Sequence, residues 1–232
     1  MDMFRMVFND EGGLRLDHEY NHYAFFGAFR CGKSFLMMLI SLMLCQTYAG
    51  CNGSIVRMTY GELADSCIVQ YLEAFPPEEN GYQYKTANRE IIFSNRSRLT
   101  FRAFDTDSKI KSNNYDFVVL VQAEEIPESL YLQVIGRLSG QAIPRPMLFT
   151  EGNPADCHLK DLYIDSTDEY RSKQGIYFLS GETADNEVNL PKNYIANLKQ
   201  NYPKDYLDRY LYGGWSKTSD RVYTALQDHH KI

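Results

Sequence analysis

Long apolar runs, a leader peptide, paired cysteine motifs and an excess of basic charge are all missing from this 232-residue chain. Its longest apolar stretch, Phe35 to Cys45, is too short to span a bilayer, and no signal peptide opens the sequence. The expectation is a protein without a membrane partner. The five cysteines, at 31, 45, 51, 67 and 157, form no CxxC and are odd in number. Neither a zinc site nor a disulfide framework is favoured, and free thiols in a reducing compartment are the plainer reading. Net charge is −6, so nothing global points to nucleic acid, although a local patch is not excluded. No internal repeat or low-complexity tract is present. His229-His230 lacks a third ligand at useful spacing and reads as a solvated tail.

What is there suffices for a core. Hydrophobic residues make up 44% of the chain, with 18 tyrosines and 13 phenylalanines, as one α/β domain with a small appendage would need. The strongest local signal is Gly27-Ala28-Phe29-Arg30-Cys31-Gly32-Lys33-Ser34, which fits the G-x-x-x-x-G-K-[ST] phosphate-binding loop. The apolar Tyr23-Ala24-Phe25-Phe26 before it reads as a buried strand, and Phe35 to Ile40 after it opens a helix. Glycines let backbone N–H groups turn inward around an anion, and the helix N-terminus adds its dipole. In such a loop Lys33 reaches the β- and γ-phosphates of ATP, and the Ser34 hydroxyl ligates Mg²⁺. Cys31 is either oxidation-sensitive or buried and inert.

Further along, 54–60 reads as a strand and 61–74 as a helix stopped by Pro76-Pro77. Residues 90–104 read as a hairpin turning at Ser94-Asn95-Arg96-Ser97. The continuous apolar run Phe117 to Val121 suits a central parallel strand. A helix follows from Pro127 to about 138, and 146–150 reads as another strand. Strands alternating with helices after a phosphate loop predict a doubly wound, mostly parallel sheet flanked by helices. From 155 the character changes, with a strand-like 175–180 and helices near 191–201 and 203–212. The expected division is a core over 1–154, an appended lid or linker subdomain over 155–215, largely helical, and a linker over 216–232.

Three later segments discriminate among nucleotide-binding proteins. Asp116 to Leu138 resembles the Walker B strand and following helix of the large terminase subunits of tailed bacteriophages. Phe149-Thr150-Glu151-Gly152-Asn153-Pro154 is similar to their coupling motif. Asp185-Asn186, Leu190-Pro191, Tyr194-Ile195, Leu198, Tyr202-Pro203 and Arg209-Tyr210 to Gly213-Gly214-Trp215 resemble the end of their ATPase region. The resemblance covers roughly 23–228. It implies an additional-strand (ASCE) P-loop NTPase that uses ATP and Mg²⁺ to drive double-stranded DNA into a procapsid in the host cytoplasm. The implied partners are the portal, the small terminase subunit and further copies in a ring, with a monomer expected in isolation. A nuclease domain follows the ATPase in that family. After Trp215 only Asp220 and Asp228 are acidic, so no nuclease activity is expected of this chain.

By the resemblance, Arg30 acts as a cis arginine finger, while Thr150 and Asn153 sense the γ-phosphate. The family's two Walker B acids align with Val121 and Gln122, and acids arrive only at Glu124 and Glu125. Either Glu124, or Glu125 with less support, takes the catalytic role, with Glu124 also available to the metal, or hydrolysis is weak. A charged helix N-terminus explains the same residues without catalysis. Arg57 either senses phosphate, reaches a neighbouring subunit, or is a surface arginine. Arg96, Arg98 and Arg102, with Lys109 and Lys111, either meet DNA phosphates or blunt a sheet edge. The alternatives to a motor are a nucleotide-gated assembly module without hydrolysis, and a P-loop kinase. A kinase lid needs arginines, and 155–190 offers only Arg171.

Overall fold

The computed structural model describes residues 5, 7–10, 13–15, 19–105 and 113–215. Lys109, Lys111, Asp220, Asp228, His229, His230 and the expected linker 216–232 lie outside them. Eight strands form one sheet: β1 (His22–Gly27), β2 (Asn52–Arg57), β3 (Tyr82–Lys85), β4 (Glu90–Phe93), β5 (Arg98–Ala103), β6 (Phe117–Val121), β7 (Met147–Gly152) and β8 (Ile176–Gly181). Their spatial order is β3-β4-β5-β2-β6-β7-β1-β8. Strands from β5 to β8 across the sheet pair in parallel, whereas β3–β4 and β4–β5 are antiparallel.

The central strands are apolar on both faces because helices cover both. On one side lie α1 (Lys33–Thr47) and a helical run over 60–74, called α2. Met37, Ile40, Leu44 and Tyr71 pack there against Tyr23, Val119 and Phe149. On the other side lie α3 (Glu128–Ile135) and α4 (His158–Tyr163), whose Tyr131, Val134, Leu159 and Tyr163 meet Ala24, Phe26, Leu120 and Leu148. The middle of α2, Leu63–Ile68, is π-helical, a form that often marks functional segments. Further short helices include α5 (Asp168–Lys173), α6 (Tyr194–Asn201) and α7 (Lys204–Leu211), and among the described residues no helix is long and apolar enough to cross a membrane.

Two expectations change. Residues 176–181, read as strand-like within the region from 155 onward, form β8 and extend the main sheet along the whole of β1, from His22↔Ile176 to Gly27↔Gly181. The strand read as ending at Thr150 continues through Glu151 and Gly152, each paired to β1. The hairpin 90–104 forms as read, but β3 adds a third strand at its edge. Arg98 pairs with Glu90 at 3.5 Å while staying exposed, Arg96 is exposed at the turn, and Arg102 is buried.

Candidate functional site

Phosphate loops sit where a parallel strand gives way to a helix, and here β1 runs through Gly27 into α1 at Lys33. Two loop residues are left-handed: Gly32 at φ 92 and Arg30 at φ 59. The first suits glycine, and the second is a conformation that an arginine adopts only when its surroundings hold it. Those surroundings come from the chain beyond β8. Ala28 N–H donates to Gly181 O at 2.9 Å and Phe29 N–H to Tyr210 O at 2.9 Å. Thr183 Oγ1 donates to Phe29 O at 2.8 Å, and Asn186 Nδ2 to Arg30 O at 2.7 Å. Phe29 also stacks on Tyr210, with ring centroids 4.2 Å apart. The back of the loop is thereby clamped, and its front is free.

The front faces a cavity of about 270 Å³, lined among others by Arg30, Lys33, Ser34, Arg57, Glu151 and Asn153. Lys33 Nζ donates to Ala28 O at 2.6 Å and Gly27 O at 3.1 Å, and lies 3.4 Å from Asn153 Oδ1. Arg57 Nη1 donates to Ser66 Oγ at 2.7 Å from within the π-helical stretch, and its Nε lies 3.5 Å from Glu62 Oε2. Arg57 is therefore buried at the site and is not a surface arginine.

The carboxylates take three different positions. Glu124 Oε1 accepts from both the backbone N–H and the side-chain Nδ2 of Asn153, each at 3.0 Å, while its Oε2 is buried with no partner among the described residues. Burial pushes the Glu124 carboxyl up to about 7 against those hydrogen bonds, and the charge of Glu151 adds to the rise. Gly152 makes room for it: a Cβ there would lie 2.1 Å from Glu124 Oε2 and 2.7 Å from the Phe26 ring. Glu125 is exposed, and its carboxyl feels the opposing charges of Glu62 and Arg57. The structure thus brings Glu124, and not Glu125, to the loop by way of Asn153.

The third carboxylate carried no assigned role in the sequence. Glu151 is 2% exposed, accepts from Ser34 Oγ at 3.1 Å, and lies 3.4 Å from the backbone N of Gln122. Burial raises its carboxyl above the usual range, opposed by the nearby Lys33 charge and the Ser34 hydrogen bond. An acid two residues after Phe149, on the same face of a strand, was the available signal. Thr150, one residue earlier, points the other way. Its hydroxyl is 2.9 Å from Tyr163 OH and 3.3 Å from His22 Nε2, in the core against α4. Cys31 is buried and burial raises its thiol pKa, which favours the inert reading.

Among the described residues no group of three or more His, Cys, Asp or Glu is placed to hold a metal ion. Mg²⁺ held beside phosphates needs only one or two protein oxygens, and Ser34 and Glu151 offer that set. A larger cavity, about 880 Å³, opens at the other end of the strands around His22, Leu148 and Ile176, and contains no phosphate-binding element.

A family model described as terminase large subunit, T4likevirus-type, N-terminal, matches residues 24–227. The large terminase of a thermophilic bacteriophage, in complex with ATP-gamma-S, is similar over 85% of this chain and 48% of its own length, at 21% identity and a TM-score of 0.69. The large terminase ATPase domain of Thermus phage P74-26 covers 93% of this chain and 98% of its own, at 12% identity and a TM-score of 0.62. The large terminase of bacteriophage HK97 gives 84% and 46%, at 12% identity and a TM-score of 0.63. At such identities the likeness is one of fold. The chain spans about half the length of the first and the third of these proteins. None of the curated proteins matches it.

Proposed function

This chain belongs to the large terminase subunits of tailed phages, and we propose that it is the ATPase of a DNA-packaging motor, coupling hydrolysis to the movement of double-stranded DNA into a procapsid. The observation that carries this reading is the convergence of Lys33, Asn153 and Glu124 at the front of a clamped phosphate loop. Lys33, now spent on the carbonyls of residues 27 and 28, turns to the β- and γ-phosphates. Ser34 and an acid beside it would hold Mg²⁺, which would supply positive charge to the phosphates. Arg30, fixed by Asn186 and lining the cavity, meets the transferring phosphoryl group.

Glu124 is the water-orienting acid in this reading. Its unpartnered Oε2 accepts from a water while Asn153 holds its Oε1. Asn153 touches both Lys33 and Glu124, so phosphate loss is felt by the acid through one side chain, which is what coupling requires. Arg57 adds a second sensor, since releasing Ser66 or Glu62 shifts the π-helical stretch. In the assembled motor the partners are the portal, the small subunit and copies in a ring, in the host cytoplasm, with a monomer in isolation.

The test is ATP turnover by the purified chain with and without double-stranded DNA. Lys33→Ala is expected to cut nucleotide binding or turnover by roughly 100-fold or more, with an unchanged circular dichroism spectrum. Unchanged turnover in that variant refutes the assignment. DNA-independent binding without any hydrolysis favours an assembly module instead.

A further inference from the structure

A P-loop site that binds Mg²⁺ places a carboxylate opposite the loop's hydroxyl, usually from the end of the strand that carries the Walker B acid. In this chain β6 ends at Val121, Gln122 follows it, and neither position carries an acid. The neighbouring strand does. Val121 and Glu151 are register partners across the β6–β7 ladder, and both line the cavity in front of the loop. Glu151 is also in register with Phe25 of β1, two residues before Gly27, so it stands at the level where the loop begins. Its Oε1 lies 3.1 Å from Ser34 Oγ.

We infer that Glu151 of β7 is the carboxylate that anchors the nucleotide's divalent cation, in place of the acid absent from β6. This rests on the reading of the loop as a nucleotide site. The chemistry of the pair supports it. A hydroxyl and a carboxylate are hard oxygen donors of the kind Mg²⁺ takes. A buried carboxylate is unfavourable without compensation; among the described residues Glu151 accepts from the Ser34 hydroxyl and, at 3.4 Å, from the Gln122 backbone N–H, with the Lys33 and Arg57 charges nearby. Glu151 and Ser34 would hold a divalent cation, which would add positive charge to that of Lys33. Gln122, at the position of the second Walker B acid, assists as a neutral backbone donor to the same oxygen. The acid moves one strand sideways and keeps its level and face, and Glu124 stays free for water.

The experiment titrates a fluorescent ATP analogue into the purified chain with Mg²⁺ and with EDTA, and measures Mn²⁺ affinity of the protein–nucleotide complex by electron paramagnetic resonance. For Glu151→Gln the affinity in EDTA is expected to match wild type, while the tightening by Mg²⁺ and the Mn²⁺ affinity each fall roughly 10- to 100-fold. A Glu151→Gln chain with wild-type Mg²⁺ tightening and Mn²⁺ affinity overturns the inference. Should that variant fail to fold by thermal melting, Glu151→Asp keeps the charge and withdraws it. An unchanged Mn²⁺ affinity in Glu151→Asp overturns the inference equally. Lys33→Ala separates this inference from the parent reading, because it must lose nucleotide in both buffers. If wild type binds no nucleotide, both readings fail. If binding depends on Lys33 while the metal effect survives in the Glu151 variants, only this inference fails.

Discussion

Thr150 and Glu151 are neighbours on β7 and both are almost wholly buried, yet their clusters are built on opposite logic. Behind the sheet, Thr150, His22, Tyr163 and Tyr131 bond to one another, with Tyr163 OH 2.9 Å from His22 Nε2 and Tyr131 OH 3.4 Å from His22 Nδ1. Every member is neutral and has a partner inside the core. In front of the sheet, Glu151, Ser34, Lys33 and Asn153 bring charge together, and the adjoining Glu124 keeps an oxygen unpaired. A closed neutral network specifies packing, whereas a charged and incomplete one is suited to a ligand. Period-2 geometry lets one strand serve both.

The sharpest way to break the contrast is to push on the residue between them and the loop. Gly152→Ala places a Cβ against Glu124 Oε2 and the buried Phe26 ring. Overpacking there is expected to cost roughly 2–3 kcal/mol in chemical denaturation. Turnover should fall further than nucleotide affinity, because Glu124 is displaced and Lys33 is not. Equal losses in both would show that the two functions share one support.

Next in size is a pH effect of opposite sign in the two clusters. Burial lowers His22 to about 3 from 6.5, so the unfolded chain takes up a proton that the folded one refuses. Stability from this group is complete above pH 6.5 and declines as pH falls towards 3. The loss at pH 5 relative to pH 8 is about 2 kcal/mol. Glu124, raised to about 7, does the reverse: its neutral form favours the fold at low pH, and that gain is lost as pH rises from about 4.5 through 7. The two partly cancel in wild type. They separate in denaturation curves of His22→Asn and Glu124→Gln between pH 5 and pH 8. The first should gain stability relative to wild type on acidification, and the second should lose it. The same sign in both variants would contradict the burial account of at least one.

These clusters also mark where the sequence was legible. Gly27 to Ser34 is contiguous, and its chemistry is written in residue type, so loop, strand and helix were readable together. Phe117–Val121 is a purely apolar run and appears as β6 with the bounds its composition suggests. The Glu90 and Arg98 strands alternate, and pair as a hairpin. Glu151-Gly152 was hidden because an acid followed by glycine has turn chemistry, and only pairing with β1 and β6 overrides it. β3, Tyr-Gln-Tyr-Lys, is polar enough at a sheet edge to pass for loop. β8 is half exposed at the other edge and gave no sign that it joins β1. The pairing of Val121 with Glu151 depends on register across 30 residues of chain, which local patterning does not encode.

The smallest effect is the most discriminating. Thr150→Val keeps the side chain's shape and removes one hydroxyl from the neutral cluster, leaving Tyr163 and His22 still bonded to each other at 2.9 Å. A stability loss of about 1 kcal/mol is expected, the ordinary net worth of a buried hydrogen bond. Nucleotide affinity and turnover should stay at wild-type values, because the hydroxyl faces α4 and not the loop. The sequence resemblance assigned this threonine to the γ-phosphate, and the two views give opposite outcomes for one variant. A sensor would lose turnover tenfold or more with its stability intact, and that result would mean that β7 reverses its faces when nucleotide binds. Asn153→Ala is the paired control: it removes the side chain that touches both Lys33 and Glu124. Turnover should therefore fall in that variant while the thermal midpoint moves little.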